Sequence, residues 1–327
     1  VLTDDFWLLS RAWSTVGGMV RGAKFAGRVA AMLVKREKQV ASGGFDRNAR
    51  MREEFQGVDG TWTSGADGNL GGPIEAAERI GAAVDLMDDA WWGGSIPPVG
   101  ESGAAFLVSE RAMPFSIIVD GDGNRFANEA ESYVDLGHHM IEHPSGAHGQ
   151  YWMICDARHG RRYLRSYALD PKVNKARTED KASVKARTLD ELADKIGVDR
   201  ANLKLTVERF NGFARTGIDH DFGRGNSAYD RYYSDPRVRP NPNLGPIEKG
   251  PFEAVRLVPG DLGTKGGVMT DASARVLRGD GSVIVGLYAS GNCSASVMGR
   301  TYPGPGSTLG PAVVFGYIAA KHIAGAG

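Results

Sequence analysis

The chain has 327 residues, of which 42% are hydrophobic, with 39 basic residues against 39 acidic ones. A formal net charge of zero gives no global pull toward nucleic acid or an anionic membrane, and the length suffices for one large or two medium domains. Two cysteines, Cys155 and Cys293, make neither a disulfide framework nor a cysteine-rich metal site; two small buried thiols in a reducing, cytoplasmic setting are expected. Glycine is the outlier. Its 45 residues are nearly double the usual share of ~7%. They cluster without a period, which points to positive-φ turns or to backbone that a ligand approaches closely.

In chain order, residues 6–38 read mainly as helix, with Phe6, Leu9 and Trp13 at helical spacing and a break at Gly17-Gly18. An apolar end at residues 40–45 runs into a glycine turn, and a charged helix follows at 49–55. Residues 75–86 read as an amphipathic helix with Ile74, Ala77, Ile80 and Val84 on one face. The β-branched run 115–119 and the turn Asp120-Gly121-Asp122-Gly123 read as a hairpin that returns through Arg125–Glu129 toward Tyr133. Helices follow at 188–196, with Thr188 and Glu191 forming a capping box, and at 201–215, with Leu203, Val207 and Phe210 in register. Residues 218–250 are irregular, and so long a stretch suggests a binding role in which Tyr229, Tyr232 and Tyr233 either lid a cavity or simply pack. A strand pair is expected within 266–277, then a turn at 279–281, a strand at 283–289 and a last helix at 312–323 behind Pro311. The apolar runs fall short of the ~20 residues needed to span a bilayer. Val1–Asp5 lacks the basic and apolar regions of a signal peptide.

The chemistry concentrates in Tyr302-Pro303-Gly304-Pro305-Gly306-Ser307-Thr308-Leu309. A glycine loop before a helix leaves backbone N–H groups aimed at one spot, and the helix dipole adds about half a positive charge there. Ser307, Thr308 and Leu309 would supply those groups to a phosphate, a carboxylate or the pyrimidine edge of a flavin. Pro303 and Pro305 stiffen the loop, while Gly304 and Gly306 leave its backbone bare. A tyrosine hydroxyl and a glycine N–H converging on one carbonyl oxygen would form an oxyanion-type clamp. A tight structural loop with Tyr302 half-buried is the competing reading.

Four stretches resemble the FAD-dependent 3-ketosteroid Δ1-dehydrogenases of the fumarate-reductase-like flavoprotein superfamily. They are Ala41-Ser42-Gly43-Gly44-Phe45-Asp46-Arg47-Asn48, Arg125–Glu129 with Tyr133, Gly260-Asp261-Leu262-Gly263-Thr264-Lys265-Gly266-Gly267, and residues 286–323. The loop Tyr302–Gly306 is the most specific of these. The resemblance implies a mixed α/β (α+β) chain: an incomplete Rossmann-like FAD-binding domain over 1–96 and 263–327, with an inserted α+β catalytic domain over 97–262. It implies FAD contacts at Ser42, Gly43, Gly44, Gly291, Asn292, Ser307, Thr308 and Leu309. It implies that the Tyr302 hydroxyl and Gly306 N–H bind a steroid 3-keto oxygen and that Tyr133 removes the C2 proton. A free tyrosine has a pKa of ~10, so that base role calls for a lowered pKa or a proton relay.

The expected partners are a 3-ketosteroid and an external electron acceptor, with no nucleic acid and no transmembrane segment; cytoplasmic location has peripheral membrane association as its alternative. The sequence departs from the family in lacking a Gly-x-Gly-x-x-Gly turn and a second active-site tyrosine, and in carrying Gly71-Gly72-Pro73 at a helix start. Three functions therefore stand side by side. They are Δ1-desaturation, a sibling activity (Δ4-(5α)-dehydrogenation or double-bond reduction), and a non-catalytic binder of steroid or protein. His139 and His143 stand i,i+4, but no third ligand is evident and no metal is expected. Trp91-Trp92 reads as core or as a substrate wall, and Arg158–Arg162 as a solvated basic loop or a partner contact.

Overall fold

In the computed structural model, which describes residues 38–325, the chain divides into two units. One holds residues 38–60, 65–90 and 263–325; the other holds 61–64 and 91–262. The helices expected over 6–38 lie outside the described residues except for Lys38, which is in a strand. The mixed α/β class holds in both units.

The first unit is built on a three-stranded sheet. Val283–Ala289 is its centre, paired in parallel with Lys38–Val40 and antiparallel with Arg275–Leu277. The register sets Val40 opposite Ala289, so both strands stop at one level. Their exits, Ser42-Gly43-Gly44 and Ser290-Gly291-Asn292, therefore lie side by side, joined by the Ser290 N–H on the Val40 carbonyl at 3.0 Å. Phe45, Met51, Ile74, Ala77, Met87, Val268, Val276 and Ile284 fill the core beneath. Helix Ala49–Gln56 starts where the Asn48 side chain accepts the Met51 N–H and ends at left-handed Gly57. Helix Leu309–Ile323 packs Ala319 beside Ala274 and Tyr288.

The helix expected over 75–86 is shorter, spanning Gly72–Glu78. Left-handed Gly81 ends it through the Gly81 N–H on Glu78 and the Ala82 N–H on Ala77. The chain then extends as strand Val84–Asp85. The apolar set keeps helical spacing beyond the point where the helix ends, and Ile80, assigned to the buried face, is 56% exposed. The strand pair expected within 266–277 is partly formed. Gly267–Val268 pairs with Val84–Asp85, and the chain then turns at Asp271, whose carboxylate accepts the N–H groups of Ser273 and Arg275, so that Thr270 bridges Val276 in antiparallel fashion.

The second unit carries a six-stranded sheet in the order Ala105–Phe106, Ala90–Ile96, Phe252–Thr264, Tyr151–Cys155, Ser116–Val119, with Ser183–Ala186 beside Phe252–Thr264. Strands 90–96, 116–119 and 151–155 are buried at every position, so both faces are covered. Helices Leu189–Ile196 and Arg200–Thr216 contribute Leu192, Val207 and Phe210 to one core. Helix Tyr133–Glu142 adds Leu136 and Met140 to a second. Thr188 caps its helix as expected, but Glu191 reaches back to the Arg187 N–H rather than to that of Thr188.

The expected hairpin is only half formed. Strand 116–119 ends in the turn closed by the Asp120 N–H on Asn124, but residues 125–129 make no return strand. Two charges in that stretch are buried instead. Arg125 pairs with Glu129 at 2.7 Å and Asp219 at 2.9 Å, and Arg224 pairs with Glu129 at 3.1 Å. Arg125 also lies over the rings of Phe210 and Phe222. The long segment 218–250 is anchored on this network and on buried Asp230, Asn241 and Asn243. It contains one short helix, Ala228–Tyr232.

Candidate functional site

Where strands Lys38–Val40 and Val283–Ala289 end, the first unit gathers polar groups. The Ser42 N–H donates to the Cys293 Sγ at 3.0 Å, and that thiol donates to the Gly43 carbonyl at 2.9 Å. Cys293 thus ties the first turn to the 3-10 turn Gly291–Cys293, and burial pushes its thiol pKa up. Gly43 and Gly44 are glycine for a reason inside the protein. A Cβ at Gly43 would stand 2.7 Å from Asn69 Cγ, and one at Gly44 would stand on the Thr264 hydroxyl. The Thr264 Oγ1 accepts the Phe45 N–H at 3.1 Å. Asn69 donates to buried Asp46 at 3.1 Å. Asn292 brings its amide nitrogen within 2.5 Å of where a Gly263 Cβ would lie. The strand-end residues Ser42, Gly43, Gly44, Gly291 and Asn292 are therefore gathered in one place.

The loop ahead of helix Leu309–Ile323 has the opposite character. Among the described residues a Cβ at Gly304 or at Gly306 would meet nothing within 4 Å, and both glycines have positive φ, at 153° and 101°. Ser307 turns its N–H (3.2 Å) and its hydroxyl (2.6 Å) onto the Gly304 carbonyl. Of the three donors expected at the helix start, Thr308 and Leu309 are the two whose N–H groups find no partner among the described residues, and Gly306 adds a third. No side chain caps this helix end. The donor set suits an electron-rich polar edge such as a flavin pyrimidine or a ketone oxygen. Tyr302 stands four residues before Gly306 and is 9% exposed.

Tyr133 belongs to the second unit, at the first position of helix Tyr133–Glu142. Its ring meets Phe106 edge-on, with centroids 5.2 Å apart and planes at 90°. Phe106 in turn lies over Gly93, where a Cβ would run into the ring. One helical turn beyond Tyr133, Gly137 lets the helix rest on strand 90–96. Sequence reading passed over Phe106, Gly93 and Gly137. The available signal was a glycine four residues after the candidate base, on the same helix face.

Other expectations divide. Both thiols are buried and unbridged, and Trp91 and Trp92 are core residues. The basic stretch 158–162 is not simply solvated, since His159 is buried with its Nε2 on the Glu110 carbonyl at 2.9 Å. Arg158 pairs with Asp156 at 2.7 Å and lies over the Phe115 ring. His139 meets Glu131 at 2.8 Å and His143 meets Asp120 at 3.4 Å, so the two face different acids. Tyr232 and Tyr233 stack edge-on, with Tyr232 67% exposed. Among the described residues no helix is long and apolar enough to cross a membrane.

Four similarities bear on this arrangement. The FAD binding domain family matches residues 11–309. A 3-oxosteroid 1-dehydrogenase of Mycobacterium tuberculosis is 49% identical over 323 residues, covering 94% of this chain and 56% of that protein. The 3-oxosteroid 1-dehydrogenase of Mycolicibacterium smegmatis is 51% identical over 298 residues, covering 87% and 51%. Among solved structures, the 3-ketosteroid Δ1-dehydrogenase of Sterolibacterium denitrificans in complex with 1,4-androstadiene-3,17-dione superposes with a TM-score of 0.84 at 42% identity. It covers 90% of this chain and 54% of that one. The chain thus spans about half the length of the relatives it matches.

Proposed function

The chain belongs to the FAD-binding domain family, and from that premise we propose that it serves the FAD-dependent introduction of a C1–C2 double bond into 3-ketosteroids. The observation that carries this reading is the proline-braced loop Tyr302–Gly306. It sets a Gly306 N–H with no partner among the described residues beside space that those residues leave open, and is followed by the Thr308 and Leu309 donors. The steroid class comes from the relatives' activity and from the dienedione in the solved complex.

In this reading the Tyr302 hydroxyl and the Gly306 N–H donate to the C3 oxygen. They draw electron density from the carbonyl and make the adjacent C2–H more acidic. Tyr133 takes the C2 proton, and the electron pair of that C–H bond becomes the second C1–C2 bond. When bound, FAD supplies the two-electron acceptor for the hydride that leaves C1. Thr308 and Leu309 are the donors this chain offers to the flavin's polar edge, with Ser42, Gly43, Gly44, Gly291, Asn292 and Ser307 forming the surrounding wall. An external acceptor completes the cycle.

The test supplies the full chain with FAD, androst-4-ene-3,17-dione and an artificial electron acceptor, and identifies the product. The Δ1 product is expected. Tyr302→Phe should lower turnover by about 10²–10³-fold, and Tyr133→Phe should abolish it with flavin absorbance retained. No Δ1 product from this 4-ene while 5α-androstane-3,17-dione is dehydrogenated at C4–C5, or turnover that survives Tyr133→Phe, refutes the assignment.

A further inference from the structure

The Tyr302 loop is held from behind by a lysine to which the reaction scheme gives no role. Lys265 is fully buried, as is Asp89, and its Nζ lies 3.3 Å from the Asp89 carboxylate. The same ammonium donates to the Thr301 carbonyl at 3.2 Å. That carbonyl belongs to the peptide group joining Thr301 to Tyr302. Fixing its direction fixes the plane from which the tyrosine departs.

Lys265 is itself firmly placed. Its N–H donates to the Asp89 carbonyl at 3.0 Å, and its own carbonyl accepts the Ser296 N–H at 3.0 Å. The neighbouring Arg300 adds an outer tie to Asp88 at 2.6 Å, but both partners of that pair are more than half exposed. Exposed pairs contribute little. The buried ammonium is the stronger constraint, since a charged donor to a carbonyl in a dry setting is worth more than a neutral one. A buried lysine is costly, and hydrophobic residues would fill the space more cheaply.

We propose that Lys265 is a positioning residue for ketone recognition: through the Thr301 carbonyl it holds Tyr302 in the orientation that meets the C3 oxygen. The inference rests on the Tyr302 reading above. It predicts an effect specific to the ketone and transmitted through Tyr302, with no direct contact between Lys265 and the steroid.

The experiment measures binding of androst-4-ene-3,17-dione and its 3-deoxy analogue androst-4-en-17-one to the full chain by equilibrium dialysis. The variant pairs Lys265→Met with Asp89→Asn, so that neither buried charge is left alone. Its preference for the ketone over the 3-deoxy steroid should fall by about tenfold, with binding of the deoxy steroid unchanged. Adding Tyr302→Phe should cause little further loss, because both changes remove one interaction. A paired variant that keeps the parent's preference while Tyr302→Phe loses it overturns the inference and leaves the functional reading standing. A parent that shows no ketone preference overturns the reading itself. Should the methionine variant fail to fold, Lys265→Gln with Asp89→Asn fills the same space with a neutral donor. It should lie between parent and Tyr302→Phe in ketone preference, and parental preference there overturns the inference equally.

Discussion

Replacing Gly137 by alanine tests how Tyr133 is held. Gly137 sits mid-helix, one turn after Tyr133. A Cβ there would lie 2.7 Å from the Gly93 nitrogen and 2.7 Å from the Trp92 carbonyl carbon, and closer still to Trp92 Cβ. Carbon contacts are comfortable from about 3.5 Å. The helix must therefore retreat by ~1 Å, because strand 90–96 is buried at every position and its backbone cannot rotate aside. Alanine gains ~1 kcal/mol of helix propensity. Overpacking costs ~1–3 kcal/mol, and loosening the Tyr133–Phe106 contact costs a further ~0.5–1.5 kcal/mol. The expected net loss is about 1–2 kcal/mol, read from urea midpoints.

Gly212 supplies the control. It lies inside helix Arg200–Thr216, and a Cβ there meets nothing within 4 Å. Gly212→Ala should stabilise the chain by ~1 kcal/mol. Turnover should fall strongly in Gly137→Ala, since a ~1 Å misplacement of a reacting group can cost ~10²-fold, and stay at the parental level in Gly212→Ala. If both substitutions stabilise equally, the close packing that positions Tyr133 is refuted.

Three further outcomes follow from buried groups. Burial lowers the His159 pKa to about 4, against an ordinary value near 6.5, and its Nδ1 has no hydrogen-bond partner among the described residues. As pH falls below ~6.5 the unfolded chain takes the proton first, so stability is complete above that pH. It declines by up to about 3 kcal/mol toward pH 4; His159→Gln should flatten the slope between pH 5 and 6.5, and an unchanged slope would count against the assignment. Burial raises the Glu129 pKa, but Arg125 and Arg224 outweigh that and hold the carboxyl below its usual range. Glu129→Gln should cost ~3–5 kcal/mol in chemical denaturation, and a loss under 1 kcal/mol would show the network to be dispensable. Burial pushes up the pKa of both thiols, so Cys155 and Cys293 should resist a thiol reagent until the chain unfolds, and rapid labelling of the native protein would contradict their placement.

Much of the fold was legible because single periods ran without competition. Leu203, Val207 and Phe210 mark one helix face, and all three are buried. The segment after Glu78 was ambiguous, because Ile74, Ala77, Ile80 and Val84 satisfy helical spacing while Gly81 ends the helix between them. The false hairpin has a different cause. Residues 125–129 read as the return of a hairpin, and only tertiary pairing of Arg125 with Asp219 and of Glu129 with Arg224 lets their charges be buried. Such pairs link residues some 95 positions apart and leave no local trace. Lys265 was hidden likewise, since its buried partner Asp89 lies far along the chain.

The glycine excess shows where composition stops being informative. A glycine can be required because a ligand comes close or because the protein itself does, and the sequence is identical in both cases. Gly43, Gly44 and Gly263 are faced by Asn69, Thr264 and Asn292, so their missing side chains are explained without a ligand. Gly304 and Gly306 are faced by none of the described residues. Substitution separates the two classes. Alanine at Gly44 must displace the Thr264 hydroxyl that holds the Phe45 N–H, so it should lower stability whether or not FAD is present. At Gly306 alanine meets no atom of the described residues, and its cost is confined to a positive φ and to whatever occupies the space in the working protein. A Gly306→Ala variant that folds nearly as well as the parent but loses ketone preference would locate the ligand at the open glycines. Equal ketone binding in that variant would return the loop to a purely structural role.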